Sequence, residues 1–413
     1  MSLRTGLSGL NAAATDLNVI GNNVSNANTV GFKKANAHFA DSYAAAIANT
    51  APTMGQTGIG VQVARIATEF TQGNIDVTNN PLDIAINGGG FFRLNDNGSN
   101  VYSRNGQFSI DKEGYVVNDG GARLTGYQVA NGTVTGQLGD MRIDTADIAP
   151  KSSASVLANV NLPAVATPPT VTTFDANDPN SYNNATSLTV YDSLGVAHLA
   201  TTYFVKTATD GQWNVYYQLD DGTGTTSTGT STPSNLLTTL QFDDQGKVTS
   251  GGTAKLNVSS WGSGAAGSTI DFDLGSSTFY DSPFSVNTLT ADGNASGRLS
   301  GLNVGADGNL FGRYSNGQSQ VLGRVALSNF TNPNGLQNIG DNLWAATYAS
   351  GDPLTGAPGS SNLGLLQSGA VEASNVDLTE ELVAMITAQR TYQANAQTIK
   401  TEDQILQTLL TLR

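Results

Sequence analysis

The chain contains no cysteine. Disulfides, thiolate metal sites and cysteine nucleophiles are therefore excluded. Histidine is nearly as scarce: His38 and His198 are the only two, they sit in dissimilar contexts, and no G-x-S-x-G occurs. A histidine-based hydrolytic triad has no starting point in such a sequence, and a two-histidine metal site would require the fold to join them. Charge is also thin, with charged residues at 13%, about half the usual share. Acidic residues outnumber basic ones 33 to 19, for a net charge of −14. No basic face is available to neutralise phosphates, which excludes nucleic acid as the partner, and an acidic surface avoids anionic membranes. No apolar run is long enough to span a bilayer. The first residues lack the continuous apolar core of a cleavable secretory signal. Taken alone, these absences point to the cytoplasm, an inference that fails for an export route needing no cleaved signal.

Glycine, serine, threonine and asparagine are plentiful, and the apolar fraction of 38% is low but patterned. That combination suits short strands joined by tight turns, and 413 residues suffice for several domains. The two ends read differently. Leu3, Leu7, Leu10, Ala14, Leu17 and Val24 recur at alternating steps of four and three, with Gly21 filling the gap. Leu378, Leu382, Met385, Tyr392, Ala396, Ile399, Leu406 and Leu410 keep the same rhythm at the other end. Such spacing makes a narrow apolar seam on a helix, and a seam needs a partner. Each stripe is the other's nearest match, which predicts a coiled-coil-like stem. The C-terminal end is more apolar than one seam requires, since Ile405, Leu406, Leu409, Leu410 and Leu412 cover more than one face.

Along the chain, Ser2 is placed to cap a helix from Leu3 to the mid-twenties. Residues 33–70 read as a connector with some local structure. From Thr71 the pattern turns β, with Asp96-Asn97-Gly98, Asn105-Gly106, Glu113-Gly114 and Asn131-Gly132 at hairpin intervals. After a proline-marked break, Ser187 to Val205 reads as a hairpin around Ser193-Leu194-Gly195, and Trp213, Val215, Tyr217 and Leu219 alternate as a half-buried strand should. The tract Gly222–Thr232 reads as a surface loop. Asp377 and Glu380 have capping-box spacing at the start of a last helix running to about Leu412. Gly262, Gly264 and Gly267 match G-x-G-x-x-G, but strand-like segments flank them and no helix follows, so a β-turn is expected rather than a dinucleotide site. Glu380–Glu381 and Glu402–Asp403 are sequence neighbours on a helix and point to different faces, so neither is a catalytic dyad.

Three blocks carry a family resemblance. Asn22-Asn23-Val24-Ser25-Asn26-Ala27-Asn28-Thr29-Val30-Gly31-Phe32-Lys33 resembles the N-terminal signature of the bacterial flagellar rod and hook axial proteins. Thr71-Gln72-Gly73-Asn74-Ile75, Asn79-Asn80-Pro81-Leu82-Asp83 and Gly89-Gly90-Phe91-Phe92 are similar to that family's second signature. Ser374-Asn375-Val376-Asp377-Leu378, with residues of the helix that follows, forms the third. The length, the β-rich insertion and Ser187–Gly195 resemble the hook-type members. The resemblance implies a structural subunit and no enzyme or cofactor. It implies self-assembly into a curved, flexible hollow tube joining rod to filament as a universal joint. It also implies export through the flagellar type III apparatus without signal cleavage, addition under a cap protein, and distal-rod and hook–filament junction proteins as neighbours. A distal rod or junction axial protein is the alternative within the family. Without the motifs, the pattern would suit a β-rich surface adhesin with a helical oligomerisation stem.

The expected fold is therefore mostly β with long α-helical termini, nested. Residues 1–32 and 375–413 would form a helical core domain, 33–70 and 351–374 connectors, 71–147 and 285–350 a β-rich middle domain, and 148–284 an inserted outer domain. The assembly interface is expected at Leu3, Leu7, Leu10, Leu17, Leu378, Leu382, Met385, Tyr392, Ile399, Leu406, Leu409 and Leu410. The family motif rests on Asn26, Asn28, Gly31, Phe32, Lys33, Gly73, Asn74, Pro81, Asn375 and Val376.

Overall fold

The two helices stand at the ends of a chain otherwise built from short strands: α1 spans Leu3–Ser25 and α2 spans Leu378–Thr411. The computed structural model describes residues 3–42, 60–130, 132–220 and 235–411, the last three by backbone alone. Ser2, the Gly222–Thr232 tract, and the Leu409 and Leu410 side chains lie outside this description. The chain divides into two compact units: residues 1–144, 301–312 and 319–413, and residues 145–300 with 313–318.

In the first unit, β1 (Ala35–Ser42) and β2 (Gly60–Thr68) form an antiparallel pair. This regular ladder occupies much of the segment expected to be a connector. β3 (Ile75–Val77), β4 (Ile84–Asn87), β5 (Phe91–Asp96) and β6 (Ser99–Ser103) follow. Asn97 and Gly98, both at positive φ, close the β5–β6 hairpin. The main sheet sets Arg123–Ala130, β5, β6, Leu343–Ala345 and Gln337–Gly340 side by side. Its aromatic core packs edge to face: Phe91 lies 5.4 Å from Phe70, and Phe330 lies 4.7 Å from Tyr102. The stretch 351–374 is not a plain connector either. Leu365–Ser368 pairs with β4 and Ala370–Glu372 pairs with β3, because their short apolar runs complete open strand edges.

The second unit holds two sheets. One is a meander of Asn184–Tyr191, Ala197–Lys206, Gln212–Leu219, Leu236–Phe242 and Val248–Ser250; the other orders Thr253–Ser260, Ala266–Asp273, Ser155–Asn161 and Ser285–Ala291. Their inward residues, among them Val156, Phe204, Trp213, Val215, Ile270 and Phe272, make one core. Trp213, Val215, Tyr217 and Leu219 are all buried, as their alternation requires. The hairpin turn falls at Ser193–Gly195, where Asp192 Oδ1 accepts from the Leu194 and Val196 amides, each at 2.9 Å. Gly264 turns an antiparallel pair and no helix follows, so the glycine triplet is a β-turn. Ser285–Ala291 pairs with Ser155–Asn161, so this unit runs on to Ser300 instead of ending at 284.

The helix seam differs from the sequence expectation. α1 and α2 run antiparallel and meet through small residues: a Cβ added to Gly6 would lie 3.0 Å from Ile399 Cγ1, and one on Gly9 would lie 2.7 Å from Asn395 Oδ1. Gly6, Ala12, Ala13, Val19, Ile20 and Asn23 are the buried residues of α1, and Glu381 and Ala388 are buried on α2. Leu3, Leu7, Leu378, Leu382, Tyr392 and Leu406 are exposed instead, while Leu10, Leu17, Met385 and Ile399 are half-buried. Glycine and alanine permit a closer approach than leucine does, which turns the large side chains outward. At the N-terminus of α2, Asp377 Oδ1 accepts from the Thr379 and Glu380 amides at 2.8 and 3.2 Å. The Glu380 carboxylate pairs with Lys34 at 3.6 Å.

Candidate functional site

The motif residues converge at the root of the terminal segments. Gly31 adopts φ 71°, where a Cβ would stand 2.5 Å from the Asn105 amide nitrogen, and its own N–H donates to Glu372 O at 2.8 Å. That turn carries Lys33 inward. The Lys33 ammonium, with no exposed side-chain surface, donates to the equally buried Glu372 carboxylate and to Thr71 O at 2.7 Å. The Gly73 amide donates to the same carboxylate oxygen at 3.0 Å. Arg104 approaches the other oxygen at 3.1 Å and donates to Gly88 O at 2.9 Å. One carboxylate thus receives both cations.

Burial pulls the Lys33 ammonium below its ordinary pKa, and attraction to Glu372 does not restore it. Arg104 is lowered for the same reason, burial first, with Glu372 opposing. Around this hub Asn375 acts as a clamp: its Oδ1 accepts from the Lys34 amide at 2.8 Å, and its Nδ2 donates to Glu69 O at 2.9 Å and Thr71 Oγ1 at 3.0 Å. Asn74 O accepts from the Ala373 amide at 2.8 Å, and Pro81 O accepts from Ser368 Oγ at 2.8 Å. Asn26 Nδ2 caps the end of α1 by donating to Asn22 O at 2.9 Å. Phe32 is half-buried, Val376 N donates to Ser374 Oγ at 3.3 Å, and Asn28 is exposed beside them.

Glu372 and Arg104 escaped the sequence reading. A signal was present for Glu372, a lone charge following Ala370-Val371 in an apolar strand. Nothing local marks Arg104.

A second feature lies higher on the helices. An apolar groove of about 810 Å³ runs between α1, α2 and the β1–β2 pair, lined by Ala12, Ala13, Phe39, Val61, Ala384 and Ala388, with Asp16 among them. On the outward faces stand Leu3, Leu7, Leu382, Val383, Ile386, Ile405 and Leu406, each between 49% and 61% exposed. Large apolar side chains left this exposed on the terminal helices are candidates for a contact surface.

Among the described residues the histidines form no catalytic arrangement that competes with these features. His38 and His198 lie in different units. His198 Nε2 meets Asp192 Oδ2 at 3.2 Å, and the Ser263 hydroxyl donates to that same oxygen. Aspartate therefore stands between serine and histidine, whereas a nucleophilic triad needs the imidazole against the hydroxyl. Asp192 is held below its ordinary pKa: burial opposes its charge, but hydrogen bonds from Ser263, Val196, His198 and Leu194 outweigh that cost. Among the described residues no group of His, Cys, Asp or Glu has a metal-binding arrangement. No helix among them is long and apolar enough to cross a membrane.

Comparison with known proteins gives the same direction throughout. Residues 3–33 match the flagella basal body rod protein family, 85–190 the flagellar hook protein FlgE/F/G D1 domain, 161–294 the flagellar basal body protein FlaE D2 domain, and 367–412 the flagellar basal body rod FlgEFG protein C-terminal family. The flagellar hook protein FlgE of Salmonella typhimurium is 45% identical over 421 aligned positions, covering 100% of both chains. That of Escherichia coli K12 is 43% identical with the same coverage, and that of Brucella suis is 32% identical, covering 100% of this chain and 98% of its own. The fold resembles the crystal structure of Helicobacter pylori flagellar hook protein FlgE2, with a TM-score of 0.57 at 15% identity over 72% of this chain. The chain belongs to the flagellar hook protein FlgE family.

Proposed function

We propose that this chain polymerises with copies of itself, through its terminal helices, into the curved hollow tube of the hook. The observation that carries the reading is the outward row of large apolar residues on α1 and α2, left exposed because small residues make the intrachain contact. Head-to-tail contacts that do not close build an open helical assembly. The two helices would form a stem, and the strand-rich units would sit outside it as nested domains. Leu3, Leu7, Leu10, Leu17, Leu378, Leu382, Met385, Tyr392, Ile399, Leu406, Leu409 and Leu410 supply the contact in this reading. The Lys33–Glu372–Arg104 hub ties the root of the helices to the strands. Torque entering through the helices would pass outward through that charged joint. The role is structural, without catalysis, at the cell exterior after type III export. Cap, distal-rod and junction proteins are the expected neighbours.

Electron microscopy of flagellar bases from cells with and without the gene tests this. Rods that lack curved hooks and filaments are the expected result; loss of the rod, or normal flagella, would overturn it.

A further inference from the structure

Among the described residues, Asp16 is the one charged residue in the lining of the groove between α1, α2 and the β1–β2 pair. It makes no hydrogen bond or ion pair among the described residues, and burial raises its carboxyl above the ordinary value with no cation to offset this. A carboxylate half-buried in an apolar groove and lacking a partner is costly unless an occupant brings a positive charge. The sequence between the paired strands, residues 43–59, contains no lysine, arginine or histidine, so it cannot supply one.

The complementary surface exists on this same chain. Leu382, Ile386 and Arg390 follow one another at four-residue steps along α2, with Val383 beside them. Leu382, Val383 and Ile386 are 49%, 61% and 51% exposed, Arg390 is exposed, and Arg390 forms no ion pair among the described residues. Lys400, the other basic residue of the described part of α2, has the small Ala396 and the polar Gln393 on its N-terminal side, at the positions where Arg390 has Ile386 and Val383.

We propose that the groove receives the Leu382–Ile386–Arg390 face of α2 from a second copy, with Arg390 of that copy paired to Asp16. The apolar residues fill the groove, and the single charge pair sets how far one helix slides along the other. A lone buried polar pair fixes register in just this manner in helical assemblies. Moving α2 by one turn would leave Asp16 against Ile386, so the unpaired carboxylate penalises the shifted register. The inference rests on the self-assembly reading above.

The test uses the full-length chain, with polymer formation followed by sedimentation and electron microscopy. Asp16→Arg and Arg390→Asp are each expected to raise the concentration needed for polymerisation roughly tenfold or more, because each juxtaposes like charges. Far-ultraviolet and near-ultraviolet circular dichroism of the monomers should not change. The double substitution is expected to return to within about threefold of the unaltered chain, as a coupled pair does in a double-mutant cycle. Single variants that polymerise normally, or a double variant no better than the worse single, would overturn the pairing. So would rescue of Asp16→Arg by Arg4→Asp or Lys400→Asp instead. A chain lacking residues 378–413 separates the two ideas. If it polymerises, the self-assembly reading itself fails; if it does not and Asp16→Arg does, only the charge pairing fails.

Discussion

Replacing Glu372 should be among the most damaging single changes in this chain that leaves its apolar core untouched. Glu372 accepts from Lys33 Nζ, from the Gly73 amide and from Arg104 Nη1, and its side chain has no exposed surface. Glu372→Ala removes the carboxylate that pairs with both buried cations. Breaking a buried pair in this way costs about 3–5 kcal/mol, and the orphaned Gly73 N–H adds to it. Lys33 and Arg104 keep their bonds to Thr71 O and Gly88 O, which places the expected loss near the lower end. Against a total stability of about 5–15 kcal/mol, that is a large share. With a urea slope of about 1–3 kcal/mol per molar, the unfolding midpoint should fall by about 1 M or more. Urea unfolding followed by tryptophan fluorescence is the assay, with Trp344 reporting from the same unit as the hub. A loss under about 1 kcal/mol, the value of an exposed ion pair, would refute the account. The companion variant Lys33→Met, Arg104→Met, Glu372→Leu should be near neutral or more stable, since an apolar replacement avoids desolvating three charges. The hub would then be a device of specificity rather than of net stability.

Other consequences are separately measurable. Gly31→Ala forces a Cβ into φ 71° and into the Asn105 amide, so calorimetry should show a loss of at least about 1–2 kcal/mol. Asp192 holds its proton less tightly in the native state than unfolded. The unfolded chain therefore binds more protons below about pH 3.9, and stability present above that value is lost as pH falls through it. Asp192→Asn should flatten this acid-side loss in the transition of the second unit. For Lys33 the slope has the same sign but falls in the alkaline window. Its lowered pKa means the unfolded chain holds the extra proton up to about pH 10.4, so stability should rise with pH through that upper window, and Lys33→Met should abolish the rise.

The strand-rich character was legible because its signals are local. Asn97-Gly98 and Ser193-Leu194-Gly195 announce turns by residue type, and Trp213 to Leu219 announces a strand by alternation. The hub was only half legible. Gly31, Lys33, Gly73 and Asn375 stood out through their resemblance to a family, but Glu372 lies 339 positions from Lys33 and Arg104 lies 268 from Glu372. No periodicity links residues so far apart. The helix seam misled for a different reason. Heptad spacing reports which residues share a face and not which face meets the nearer partner. On α1 the faces compete: leucines on one, Gly6, Gly9, Ala12 and Ala13 on another. Close approach favours the second.

That two-sidedness bears on how assembly must proceed. Leu3, Leu7, Leu382, Val383, Ile386 and Leu406 are each about half-exposed or more. Covering what remains of each gives about 1 kcal/mol, or roughly 6 kcal/mol if all are covered. Association costs an estimated 4–15 kcal/mol in lost freedom, before any side-chain ordering. A single neighbour touches only part of these faces, so one contact cannot offset the cost, whereas several neighbours around the same pair of helices can. The expected behaviour is monomer and long polymer with almost no dimer between them, and a sharp critical concentration. Sedimentation velocity across that concentration decides the matter. A stable dimer well below it would show that one interface suffices, and the outward apolar residues would then belong to a closed pair instead of an open tube.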